Sequence, residues 1–266
     1  MIHLIICVNN NKGGVLKTTI ATNIAGVLAL KKKKVLIVDC DNQSNVLLSF
    51  GKNPDEYRTS LYDVLIDNLP PEDTIIPVHE YIDILPSNND LTSFEIEVNE
   101  DGEKYPEPYL MLKNALEHLR GSYDYILIDT PPSLGLINGN VFSFADKVLI
   151  PFQPEPYSMR SLKNVINTID LFKKNFNPNI EILGIVKTLV HPTANLHADV
   201  LQETNAYAYE NGIHMFDTVF PRSVQFASAV GYSKLPAVLM KKIDKGALYF
   251  DLTEEILTKL EGSVTQ

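Results

Sequence analysis

An apolar run over residues 2–8 breaks into Asn9-Asn10-Asn11-Lys12-Gly13-Gly14-Val15-Leu16-Lys17-Thr18-Thr19 and then continues with helical periodicity. A buried strand, a glycine turn and a Lys-Thr pair opening a helix aim backbone N–H groups and the positive end of a helix dipole at one point. That is the construction of a phosphate-binding loop. The general pattern G-x-x-x-x-G-K-[ST] is met with two departures, Asn11 at its first glycine and Leu16 at its second.

The remainder of the chain is consistent with such a start. Apolar, β-branched runs recur at residues 35–38, 81–85, 125–128, 147–151, 182–189 and 215–220, as buried parallel strands do. Between most of them lie amphipathic stretches at 18–30, 109–119, 161–175 and 196–210. Strands alternating with helices predict an α/β fold, a doubly wound, mostly parallel sheet flanked by helices, with ligands at the carboxyl ends of the strands. At 266 residues and 45% apolar composition, residues 1–266 are expected to form one domain around a sizeable core. Residues 95–107 hold six acids and one lysine, and an acidic, solvated insertion is expected around 95–108.

Cys7 and Cys40 sit inside apolar runs and read as reduced core residues, which points to the cytoplasm. No run approaches the length of a membrane span. The last helical stretch, 248–260, carries Asp251, Glu254 and Glu255 against Lys259, the wrong sign for binding anionic lipid. His191, His197 and His214 lack metal-ligand spacing and read as surface or capping residues.

Two further strand ends carry acids. Residues 35–38 run into Asp39-Cys40-Asp41-Asn42-Gln43, whose two carboxylates, one residue apart, lie on the same side of an extended chain. Residues 125–128 run into Asp129-Thr130-Pro131-Pro132-Ser133, an apolar strand ending in aspartate as in a Walker B motif. Phosphoryl transfer needs a phosphate cradle, a hydroxyl and a carboxylate around Mg²⁺, and a carboxylate to orient water. Lys17 is the candidate for the β- and γ-phosphates and Thr18 for the metal.

The loop from Asn11 to Thr19 resembles the deviant Walker A loop of the ParA/MinD family of ATPases, whose signature lysine occupies the position of Lys12 and whose usual residue at Leu16 is glycine. Asp39 to Gln43 is similar to the family's D-x-D-P-Q box, with Asn42 for proline, and Asp129 to Ser133 to its D-x-P-P-S box. Pro151-Phe152-Gln153-Pro154-Glu155 resembles a segment whose acidic residue approaches the ribose or the partner subunit. Phe220-Pro221-Arg222-Ser223-Val224 resembles the I-P-R-N-V segment that lies against adenine.

The resemblance implies a small ParA-type, Soj-like partition ATPase using ATP/ADP and Mg²⁺. Asn11, Lys12, Gly13, Gly14, Val15, Leu16, Lys17, Thr18, Thr19, Glu155, Pro221 and Arg222 would contact nucleotide, and Thr18, Asp39 and Asp129 would surround the metal. Lys12, Lys17 and Asp41 would be catalytic, with Asp41 polarising the attacking water. Lys12 would cross to the nucleotide of the other subunit in an ATP-dependent homodimer. Implied partners are DNA bound without sequence preference, through a patch drawn from Lys234, Lys241, Lys242, Lys245 and Arg222, and a ParB-type centromere-binding protein. The implied location is cytoplasmic, on the nucleoid, with no membrane partner.

Leu16 leaves an alternative of another class, a hydrolysis-impaired nucleotide-binding scaffold. If its position requires φ > 0, leucine there costs about 1–2 kcal/mol, expected to weaken affinity roughly tenfold to thirtyfold.

Overall fold

The structure is a computed structural model that describes residues 3–191, 193–222, 234–240 and 246–264. In chain order the strands are β1 (Leu4–Val8), β2 (Val35–Asp39), β3 (Ile76–His79), β4 (Ile82–Leu85), β5 (Tyr125–Asp129), β6 (Lys147–Phe152), β7 (Glu181–Val190) and β8 (Met215–Pro221). The α-helices, numbered along the described residues, are α1 (Lys17–Leu30), α2 (Asn45–Ser49), α3 (Leu61–Ile66), α4 (Phe94–Glu100), α5 (Met111–Leu116), α6 (Leu136–Phe144), α7 (Ser158–Asn175), α8 (Asn195–Glu210) and α9 (Ala247–Val264). One eight-stranded sheet forms in the order β3-β4-β2-β5-β1-β6-β7-β8. Every pairing is parallel except β3 with β4, so the sheet is doubly wound and mostly parallel, as expected.

The strands are buried on both faces, and their alternation divides the core. In β1, Ile5 and Cys7 join a cluster with α5, α6 and α7, whereas Ile6 and Val8 join one with α1 and α9. In β2, Leu36 and Val38 face the first cluster and Val35 and Ile37 the second; Ile126 and Ile128 of β5 divide from Tyr125 and Leu127 in the same way. Both cysteines are buried and free, and burial pushes both thiols upward.

Two expectations need correction. The stretch around 95–108 is not simply a solvated loop. It contains α4, with Phe94 and Val98 buried, and Tyr105 is buried beyond it. Two of its acids have structural partners: Tyr62 donates its hydroxyl hydrogen to Glu97 Oε1 at 2.5 Å, and Glu95 Oε2 accepts from Leu136 N at the start of α6. The helix expected over 109–119 is α5 alone, continued by a tighter 3-10 segment at Glu117–Ser122. Its start is set by Asn140 of α6, which accepts from Leu112 N and donates to Pro108 O.

Candidate nucleotide site

The adjacent strands β1, β5 and β2 end together. Val8 is in register with Asp129, and Asp129 with Asp39, so the loop after β1 and both acids emerge at one edge of the sheet. Residues 9–16 then turn into α1. Gly14 and Leu16 both have left-handed backbone, φ 74° and 71°, and α1 begins immediately afterwards. The first helical hydrogen bond runs from Ile20 N to Leu16 O, which leaves the N–H groups of Lys17, Thr18 and Thr19 without intrahelical acceptors. They open onto a cleft of 370 Å³ lined by the loop and helix start, with Asp41, Gln43, Asn45, Ser49 and Pro132 opposite.

Lys17 is nearly buried, and its Nζ donates to Lys12 O at 3.2 Å. Burial lowers its pKa, against the opposing pull of Asp129 and Asp41. Thr18 Oγ1 donates to Asp129 Oδ2 at 2.5 Å, while Asp129 Oδ1 is buried without a hydrogen-bond partner. Asp39 is wholly buried; Oδ1 accepts from Asp41 N and Oδ2 from Val46 N. Among the described residues no group of three or more His, Cys, Asp and Glu could itself hold a metal ion. Mg²⁺ needs no such cage, because it keeps waters and takes one or two protein oxygens besides substrate phosphates. The unpartnered Asp129 oxygen beside the Thr18 hydroxyl fits that demand.

Burial pushes the Asp129 carboxyl up to about 7, the Thr18 hydrogen bond and Lys17 only partly opposing it. Burial, then the Asp129 charge, hold Asp39 well above the usual carboxylate range. Both shifts are upward, so the folded state binds extra protons above the ordinary pKa of 3.8, and stability falls as pH rises toward about 7. The unfolding midpoint without nucleotide or Mg²⁺ is therefore expected to drop by several degrees between about pH 5 and about pH 8. Asp129→Asn should flatten that slope in scanning calorimetry; an unchanged slope would reject the assignment.

Of the remaining candidates, Gly13 and Thr19 line the cleft, as does Leu16, whose half-buried side chain also packs on the α1–α9 cluster. Val15 is fully buried and does not line the cleft. Asn11 accepts from Ser161 Oγ of α7, and Lys12 is ion-paired with Glu155. Neither Glu155, Pro221 nor Arg222 lines the cleft: Pro221 ends β8 opposite Val190, and Arg222 N donates to Val190 O. Lys234 is exposed and packs against Gly51, whereas Lys241, Lys242 and Lys245, with Ser223 and Val224, lie outside the described residues. His197 is buried rather than on the surface, its Nδ1 accepting from His191 N.

Sequence reasoning missed the buried network behind the loop. Asn9 Nδ2 donates to Thr130 Oγ1 at 3.0 Å and to Asn138 Oδ1 at 2.6 Å, and Asn138 donates to Ser133 O. An asparagine inside α6 carries no signal of this role; its spacing after the Pro-Pro-Ser turn is the one available cue.

A mostly parallel sheet with this strand order, and a glycine loop entering a helix at its centre, defines a P-loop nucleotide-binding fold. A family described as AAA domain matches residues 3–182. The chromosome partitioning protein ParA of Myxococcus xanthus is 36% identical over 258 residues, covering 96% of this chain and 88% of that one. Cobyrinic acid a,c-diamide synthase from Mycobacterium smegmatis, solved with bound ADP and magnesium, is 28% identical with a TM-score of 0.81, covering 98% of this chain and 96% of that one. A putative plasmid partition protein from Borrelia burgdorferi bound to AMPPNP is 25% identical with a TM-score of 0.75, covering 96% and 98%. The chain belongs to the ParA family of partition ATPases.

Proposed function

We propose that the protein is a working ParA-type partition ATPase. It binds ATP with Mg²⁺, dimerises with nucleotide sandwiched between protomers and binds DNA without sequence preference. It hydrolyses ATP when stimulated by a ParB-type centromere-binding partner, segregating plasmid or chromosomal DNA on the nucleoid. The observation that carries this reading is the convergence of Lys17, Thr18 and Asp41 on one cleft at adjacent strand ends, with Asp129 buried directly behind the Thr18 hydroxyl.

Each group then has a task. The free N–H groups of the first turn of α1 and the Gly13–Gly14 segment bind phosphate oxygens, and Lys17 neutralises the β- and γ-phosphates. Thr18 and Asp129 hold the metal and its water, with Asp39 behind them. Mg²⁺, when bound there, would offset the charge that develops on the phosphate oxygens. Asp41 orients water for in-line attack.

Leu16 favours a second reading, a scaffold that binds nucleotide and turns it over poorly. Its backbone is indeed left-handed, at φ 71°. That turn is part of the fold, because Leu16 O already accepts the first hydrogen bond of α1. The cost of about 1–2 kcal/mol therefore falls mainly on stability rather than on affinity, unlike the expectation from sequence. Leu16→Gly is accordingly expected to change ATP affinity by less than about threefold, well under the thirtyfold that strain confined to the bound state would produce. Hydrolysis of ATP by wild type and Leu16→Gly, with and without DNA, tests both readings. A wild type that neither binds nor hydrolyses ATP, beside a glycine variant that does both, would reject the working ATPase.

A further inference from the structure

The loop lysine expected to act on another subunit is held within its own chain. Lys12 Nζ donates to Glu155 Oε2 at 2.6 Å, the two side chains 31% and 35% exposed. The other carboxylate oxygen, Oε1, accepts from Gln153 Nε2. Glu155 also sits in a closed turn, its N–H directed at Gln153 O and Ser158 Oγ and its carbonyl accepting from Ser158 N. More bonds join the same two segments: Asn10 Nδ2 donates to Pro151 O at 2.6 Å, and Ser161 Oγ to Asn11. An incidental surface ion pair has no such framework around it.

The opposite end of Lys12 is held as well. Its N–H donates to Asn10 Oδ1, and its carbonyl accepts from the Lys17 ammonium at 3.2 Å. One residue is thus gripped at its ammonium by Glu155 and at its carbonyl by the lysine proposed to take the phosphates.

We infer that Glu155 is a positioning residue for Lys12, restraining it in cis and competing with its transfer to a second copy of this chain, and that nucleotide weakens the restraint by drawing Lys17 away from the Lys12 carbonyl. The inference rests on the ATP-driven dimer proposed above and gives Glu155 a different task from ribose contact. The restraint is a bias and not a lock: a pair one-third exposed is screened by solvent, so its loss shifts an equilibrium by about twofold to fivefold. Separating a fully buried pair would leave one charge buried and unpaired, and would oppose the dimer far more strongly.

Zero-length coupling with a water-soluble carbodiimide reads the restraint directly, because it joins amine and carboxylate only where they are in contact. Without nucleotide, mass spectrometry of the monomer band should show a Lys12–Glu155 isopeptide. A saturating non-hydrolysable ATP analogue should reduce it by more than half. In sedimentation equilibrium with that analogue, Glu155→Gln should dimerise about twofold to fivefold more tightly than wild type, and Glu155→Asp, which keeps the charge on a shorter arm, should fall between them. An isopeptide that is absent without nucleotide, or undiminished by the analogue, overturns the inference, as does a Glu155→Gln protein that dimerises no better than wild type. A wild type that stays monomeric with the analogue yet loses the isopeptide rejects the dimer while upholding the release of Lys12.

Discussion

Replacing Asp41 by alanine is expected to lower ATP turnover by about 10²- to 10⁴-fold while changing ATP affinity by less than about threefold. The carboxylate is placed for that division of effects. Its backbone is pinned from below, since Asp41 N donates to the buried Asp39 Oδ1 at 3.0 Å. One of its oxygens, Oδ1, accepts from Gln43 N, and the side chain lines the cleft across from the phosphate loop. It is therefore held in one orientation by its own turn and needs no nucleotide to organise it. Alanine removes the group that would orient attacking water and leaves the cradle and metal residues in place. Single-turnover hydrolysis combined with equilibrium titration of a fluorescent ATP analogue would separate the two quantities. A variant that loses affinity and turnover together would make Asp41 a structural support of the loop, and hydrolysis would need another group. Asp41→Asn is the informative companion, because it keeps the shape and the Gln43 hydrogen bond; its turnover should fall almost as far.

What the sequence revealed about this site follows from how local each signal is. The period-two division of β1, β2 and β5 between two core clusters is written in consecutive residues, Ile5 to Val8 and Val35 to Val38, so strands and their ends were legible. Once three such strands are recognised, parallel pairing brings Asp39 and Asp129 to the same edge as the loop. β3 was not legible: it is four residues long, contains Pro77 and is only partly buried, as an antiparallel edge strand can be. α4 was obscured by its acids, because Phe94 and Val98 are too few to outweigh them in composition, although they are what the core receives.

Contacts between distant residues were the least accessible. The Asn9–Asn138 and Lys12–Glu155 bonds span more than a hundred residues, and neither partner has a neighbour in sequence that announces it. The conformation of Leu16 lies between these extremes. The motif marks the position as one where glycine is usual, but only the helix start shows that the left-handed turn is formed by the fold and that leucine can occupy it beside an apolar cluster.

Lys17→Ala is expected to weaken ATP binding by about a hundredfold or more, and the reason lies in the charges it leaves behind. Lys17 is 7% exposed, and Asp129 and Asp41 are the carboxylates whose charges act on it. With the ammonium gone, a polyphosphate entering the cleft meets these acids without a counter-charge. Two charge-assisted hydrogen bonds to phosphate, at about 1.5–3 kcal/mol each, are also lost, which together exceeds a hundredfold in affinity. Lys17→Arg should not restore binding, because a planar fork on a longer arm does not replace a compact ammonium in a nearly closed site. Removing the lysine also removes one of the three effects that hold the Asp129 carboxyl down, so that group should titrate above its present value of about 7 and the decline in stability should extend to higher pH. Isothermal titration with ATP and Mg²⁺, beside calorimetric unfolding across pH, measures both effects on one variant. Wild-type ATP affinity in Lys17→Ala would move the nucleotide out of this cleft, whereas lost affinity with an unmoved pH profile would separate Lys17 from Asp129.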